Sequence, residues 1–107
     1  MACIGVFIVD TLGRPSSGMP QGQRAQLLDE ILLTLGGSAA GPAIDLAHLG
    51  ADVVAVGAVG EDNLGSFMRQ GLTDFGVDPR YLVTVPGVQT SASILPINAD
   101  GSRPAWH

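Results

Sequence analysis

The sequence predicts an α/β fold built on a parallel sheet, and three observations carry that reading. Two apolar, strand-like runs, 2–9 and 53–59, are separated by a glycine turn and a helical stretch. A second glycine-rich turn and a second helical stretch follow the later run and close at Gly76. Short strand-like segments joined by a turn then complete the chain. Alternation of this kind makes a parallel layer flanked by helices rather than a bundle or a sandwich.

At 107 residues the chain is one domain with a modest core, and 46% apolar with 14% charged residues suits a globular protein, not a disordered one.

Residues 2–9 (ACIGVFIV) form an unbroken apolar run rich in Ile and Val, as expected of a strand buried on both faces. Asp10 closes that run. Open α/β sheets bind ligands outside the carboxyl ends of their strands, so an acid here is placed for function; it serves equally as a turn or cap residue. Residues 12–24 hold two prolines and three glycines without periodicity and read as a loop or arm. LLDEILLTL at 27–35 permits a short strand or a helical turn, and periodicity does not separate the two over so few residues.

Gly36-Gly37 forces a turn, with Ser38 the expected N-cap of the next helix. Pro42 is tolerable only in a first turn, which agrees with that start. Ala43, Ile44, Leu46 and Ala47 make one apolar side, Asp45 and His48 the other, and Gly50 fits the left-handed position after the helix. Gly41 weakens the helix start by roughly 1 kcal/mol relative to alanine.

VVAVGAV at 53–59 reads as the second buried strand. Gly60 and the polar Glu61-Asp62-Asn63 open another helix, capped by Asp62. Leu64, Phe67, Met68, Leu72 and Phe75 share its inner face, and Gly76 ends it. Residues 81–85, 90–97 and 102–106 read as short strands, with Asn98-Ala99-Asp100-Gly101 the hairpin turn between the last two. Thr90, Ser93 and Asn98 are polar among apolar neighbours, so this ribbon is expected to expose one face.

Charge and composition exclude several functions. The net charge is −5 and the five basic residues are scattered arginines, so no electrostatic footprint for nucleic acid exists. Without lysine there is neither a P-loop lysine nor a Schiff-base lysine in these residues. Cys3 is the single cysteine, which precludes an internal disulfide and fits a reducing, cytoplasmic setting. The N-terminal apolar run lacks a basic leader region, and no apolar segment approaches membrane-spanning length. The strand-like residues run up to Trp106-His107, and the chain is expected to continue beyond them.

Gly57, Gly60 and Gly65 do not have G-x-G-x-x-G spacing, no G-x-S-x-G elbow occurs, and one cysteine with two distant histidines makes no metal set. His48 lies on a polar helix face and His107 at the chain end. What remains is Asp10 with the Gly36-Gly37-Ser38 turn. Amides at a helix start, with no Cβ in the way, can approach a polyhydroxylated ligand, and a carboxylate accepts charge-assisted hydrogen bonds from paired hydroxyls.

GGSAAGPAIDLAHLG, then VGAVGEDNLGSFMRQGLTDFGVD, then TSASILPINADGSRPAWH together resemble the PfkB (ribokinase-like) family of carbohydrate and nucleoside kinases over nearly the whole chain. The shared parts are Gly36-Gly37, a helix ending Leu46 to Gly50, and the G-x-D-x-x-G turn of Gly60, Asp62 and Gly65. The resemblance implies a ribokinase-like parallel sheet flanked by helices, its N-terminal part, with a small β-sheet lid formed near 12–35 and 88–107. It implies sugar or nucleoside contacts at Asp10, Gly36, Gly37 and Gly41, the last standing where the family usually has asparagine. Gly101 and Arg103 match a turn of the lid ribbon. It further implies a parent kinase using ATP and Mg²⁺, neither bound by these 107 residues alone, because the family's G-A-G-D motif and nucleotide site have no counterpart here. An exposed lid edge can pair with another chain, so a homodimer through the lid is expected whether or not the chain is catalytic. The alternative is a non-catalytic sugar- or nucleoside-binding or dimerisation module of the same fold.

Overall fold

The computed structural model describes residues 1–107. Its elements are β1 (Ala2–Ile4), β2 (Ile8–Ser16), β3 (Glu30–Gly36), α1 (Ala40–His48), β4 (Val53–Gly60), α2 (Asn63–Asp74), β5 (Val77–Val85) and β6 (Ala92–Asn98). They form two three-stranded sheets. The core sheet, ordered β1-β4-β5, is wholly parallel. The small sheet, ordered β3-β2-β6, pairs β2 antiparallel to β3 and parallel to β6.

The chain passes between the two sheets three times, and these crossings organise the molecule. The first, at Gly5–Phe7, corrects the expectation of one strand over 2–9. β1 stops at Ile4 and the chain bends, so the second half of the apolar run enters the other sheet. Val6 is held there on both sides: its N–H donates to Ser38 Oγ at 3.2 Å, and its carbonyl accepts from Ala39 N–H at 3.1 Å. Phe7 and Val9 remain buried, which is why hydrophobicity alone does not reveal the break. Asp10 therefore lies inside β2 and not at the end of the first strand.

Residues 12–16, expected in a loop, continue β2. Pro15 is accommodated where the β2–β6 register shifts between Gly13 and Ser16, a position that needs no regular ladder bond. Of the two readings open for 27–35, the strand is the one found, as β3.

The second crossing, Gly37–Ala39, leads from β3 into α1. Ser38 does not cap the helix: the N-cap is Ala39, with no side-chain cap bond, because the Ser38 hydroxyl is engaged by Val6. Gly50 follows α1 with φ +92° and Gly76 follows α2 with φ +84°, both as expected of helix-ending glycines. Asp62 caps α2, accepting from Gly65 N–H at 2.8 Å.

The third crossing runs from β5 to β6 through 86–91. β5 starts at Val77, earlier than the expected 81, since Asp78 and Pro79 are compatible with an edge strand. The turn at 98–101 forms, with Asn98 N–H donating to the Ser102 carbonyl at 2.9 Å. The strand expected at 102–106 is reduced to one bridge between Ile94 and Trp106. Thr90, expected on an open face, is only 1% exposed.

Both helices cover one face of the core sheet. Ala40 and Ala43 of α1 and Met68 and Leu72 of α2 pack on Cys3, Val53, Ala55, Val59, Val77 and Leu82. Phe7, Val9 and Leu35 carry the same core beneath the small sheet. Phe75, assigned to the inner face of α2, is half exposed past the helix end and meets the His48 ring edge-on. The opposite face of the core sheet, bearing Ile4, Tyr81 and Val83, is uncovered. No helix is long and apolar enough to cross a membrane.

Candidate functional site

Asp10 occupies the middle of the central strand of the small sheet, with Thr34 of β3 and Ser93 of β6 in register on either side. Residues in register on neighbouring strands share a face, so these three polar side chains stand together. β3 ends beside them at Gly36, where a Cβ would overlap the Asp10 carboxylate. Glycine at 36 thus clears the space that the carboxylate fills.

Gly37 has φ +97°, a conformation that side chains rarely adopt, and a Cβ there would overlap the Val6 carbonyl. The first and second crossings meet at this point. α1 begins immediately afterwards without a side-chain cap, which leaves its first-turn amides for another acceptor. Gly41 lies in that turn, and a Cβ on it would meet nothing within 4 Å. Asp10, Gly36 and Gly37 are therefore brought together, whereas Gly41 sits on α1 with open space around it.

A further residue joins this face. His107 Nδ1 lies 2.8 Å from Ser93 Oγ. Sequence reasoning set His107 aside as a chain-end residue. The turn at 98–101 held the signal, because a hairpin register that pairs Ile94 with Trp106 also sets His107 opposite Ser93.

A second polar cluster gathers at the third crossing, around the G-x-D-x-x-G turn. Besides capping Gly65, Asp62 Oδ1 accepts from Thr90 Oγ1 at 2.6 Å and Asp62 Oδ2 accepts from Thr90 N–H at 2.8 Å. The Thr90 hydroxyl in turn accepts from Gly60 N–H at 2.9 Å. The Thr90 hydroxyl bond, followed by the Thr90 and Gly65 amides, holds the Asp62 carboxyl below the ordinary aspartate range. Its contribution to stability is complete above that range and fades as the pH falls through the lowered value. Glu61 and Arg69 share the pocket; the Arg69 guanidinium donates to the Pro79 and Leu82 carbonyls and to Thr84 Oγ1.

A cavity of about 320 Å³ at the far end of the small sheet, lined by Met19, Leu28, Pro96 and Trp106 among others, contains no ionisable side chain. Its lining offers packing, not chemistry.

Comparison with known proteins places these features in context. The family model described as pfkB family carbohydrate kinase matches residues 1–104. The chain is 34% identical to the aminoimidazole riboside kinase of Salmonella typhimurium over 68 residues, 64% of this chain and 21% of that protein. It is 35% identical to the fructokinase of Klebsiella pneumoniae over 68 residues, 64% of this chain and 22% of that protein. Among solved structures, the fructokinase of Vibrio cholerae is 30% identical with a TM-score of 0.72, covering 98% of this chain and 32% of that one. The Arabidopsis thaliana ribokinase, solved with ribose and ATP, shares the fold at 22% identity and a TM-score of 0.83, covering 98% of this chain and 34% of that one. The chain thus spans about a fifth of the length of the curated relatives it matches.

Proposed function

The chain belongs to the pfkB family of carbohydrate kinases, and on that premise we propose that it is the N-terminal portion of an ATP-dependent sugar kinase, carrying part of the sugar site and the lid. The parent reaction is transfer of the ATP γ-phosphoryl group to a sugar hydroxyl. The observation that supports this reading best is the Asp10 carboxylate standing over Gly36, next to the Gly37 turn that opens α1. Two carboxylate oxygens can accept from neighbouring sugar hydroxyls. The uncapped start of α1 offers further donors, and the Ser93–His107 pair extends the polar face along β6.

These residues do not fit a nucleoside triphosphate. At the start of α2 the Gly65 amide is already taken by Asp62, and Glu61 adds a second negative charge. We therefore assign no phosphate-transfer step to them.

In a protein of the relatives' length carrying this sequence, ADP formation should require an added sugar or nucleoside, tested with fructose, ribose and adenosine. ADP formation that depends on none of them overturns the reading. The 107 residues alone should form no ADP, and turnover by them would relocate the nucleotide site.

A second role for the same sheet rests on its other face. Leu33 and Ile94 stand in register with Thr11, and Ile31 with Gly13, so three exposed apolar side chains share one side. This supports a homodimer through the small sheet. Sedimentation should give twice the 10.9 kDa chain mass, and Ile94→Lys should return a monomer; a wild-type monomer at high concentration removes the interface.

A further inference from the structure

We propose that Asp62 and Thr90 are positioning residues: their clamp at the third crossing fixes strand β6, and through it Asp10, over the core sheet. The placement is a property of this chain by itself; its bearing on a sugar rests on the function proposed above.

The clamp explains a motif that the sugar site leaves unused. Gly60, Asp62 and Gly65 lie far from Asp10 in sequence, yet all three receive the chain as it arrives from β5. A Cβ on Gly60 would overlap the Val88 carbonyl and stand 2.7 Å from Thr90 N. A Cβ on Gly65 would stand 3.0 Å from Thr90 Oγ1. The two glycines are the floor on which 88–90 rests, and the Asp62 carboxylate, held to its own helix by Gly65 N–H, fastens it by two hydrogen bonds from Thr90. Thr90 has every polar atom of its side chain engaged and is 1% exposed.

From there the connection to Asp10 is short. The next residue, Ser91, accepts through its carbonyl from Val9 N–H at 2.9 Å. Val9 then pairs with Ala92 and Asp10 with Ser93. The preceding segment, Pro86 to Gln89, is exposed and belongs to no strand. Thr90 is thus the point at which β6 becomes fixed to the core. Because the carboxylate is itself seated on the first turn of α2, the anchor is a helix packed in the core by Met68 and Leu72.

The competing explanation is that Asp62 only caps α2. Thr90→Val separates the two, because it deletes the hydroxyl bonds and leaves the Asp62–Gly65 cap intact. Amide hydrogen exchange on the 107-residue protein should show Val9 and β6 exchanging at least tenfold faster, with β4 and α2 within twofold of wild type. The ¹³Cγ resonance of Asp10 should shift with them. Thr90→Ser, which restores the hydroxyl, should return both signals. Unchanged exchange in β6 and Val9, or an unmoved Asp10 resonance, overturns the proposal. If Thr90→Val loses protection throughout, Asp62→Asn decides, since it keeps one accepting oxygen. Faster exchange confined to β6 and Val9 then supports the clamp, and uniform or absent change overturns it.

Discussion

Asp10→Ala, placed in a protein of the relatives' length, is expected to weaken sugar binding about 100-fold, the equivalent of about 3 kcal/mol, with ATP affinity unchanged. The size follows from the chemistry proposed for Asp10. A hydrogen bond to a charged group contributes about 1.5–3 kcal/mol, and a carboxylate facing paired hydroxyls makes two. The selectivity follows from position, because Asp10 stands in the small sheet with Thr34 and Ser93 and no part of the nucleotide site is assigned to these residues. Calorimetric titration of sugar and of ATP, each against wild type and variant, measures both quantities. Equal sugar affinity in the two proteins would remove Asp10 from the site.

Gly37→Ala is expected to cost the 107-residue protein on the order of 3 kcal/mol or more, a large share of a small domain's stability. Two penalties coincide. The backbone sits at φ +97°, where a residue with a side chain is strained, and the added methyl would enter the Val6 carbonyl. That carbonyl cannot retreat freely, since it accepts from Ala39 N–H at 3.1 Å and helps set the entry of α1. Gly41→Ala is the matched control: helical, with nothing within 4 Å of the new carbon, it should be neutral or gain up to about 1 kcal/mol. Urea unfolding of the two variants compares them directly. Equal midpoints would mean that the 36–39 turn relaxes without cost.

The core α/β layer was legible because its signals are local. Gly50 and Gly76 end helices, Asp62 caps one, and 53–59 is a parallel strand whose apolar run has no competing pattern. The small sheet was less legible because its strands depend on distant partners. The bend at Gly5 is hidden inside an apolar run, and β2 carries Gly13 and Pro15, which argue locally for a loop yet are tolerated once β3 and β6 flank them. Ser38 shows the same effect at a single side chain: its local pattern fits a cap, but Val6, 32 residues away in sequence, claims the hydroxyl. Within the candidate site, Asp10 and the double glycine were visible as residue types. Thr90 and His107 were not, because each acquires its role only when the third crossing and the hairpin bring it to a partner 28 or 14 residues away.

The uncovered side of the core sheet has a colloidal consequence. With Ile4 75%, Tyr81 55% and Val83 57% exposed, one side of the molecule wets poorly, as expected for a parallel sheet covered by helices on a single face. What keeps such particles apart in suspension is mutual repulsion, supplied here by a net charge of −5. Near the isoelectric point, about pH 4.5, that repulsion vanishes while the oily side is undiminished. The isolated chain is thus expected to behave as a dispersion stabilised by charge, staying apart at neutral pH and low salt and coagulating when acid or added electrolyte removes the repulsion, which turbidity against pH and salt reads directly.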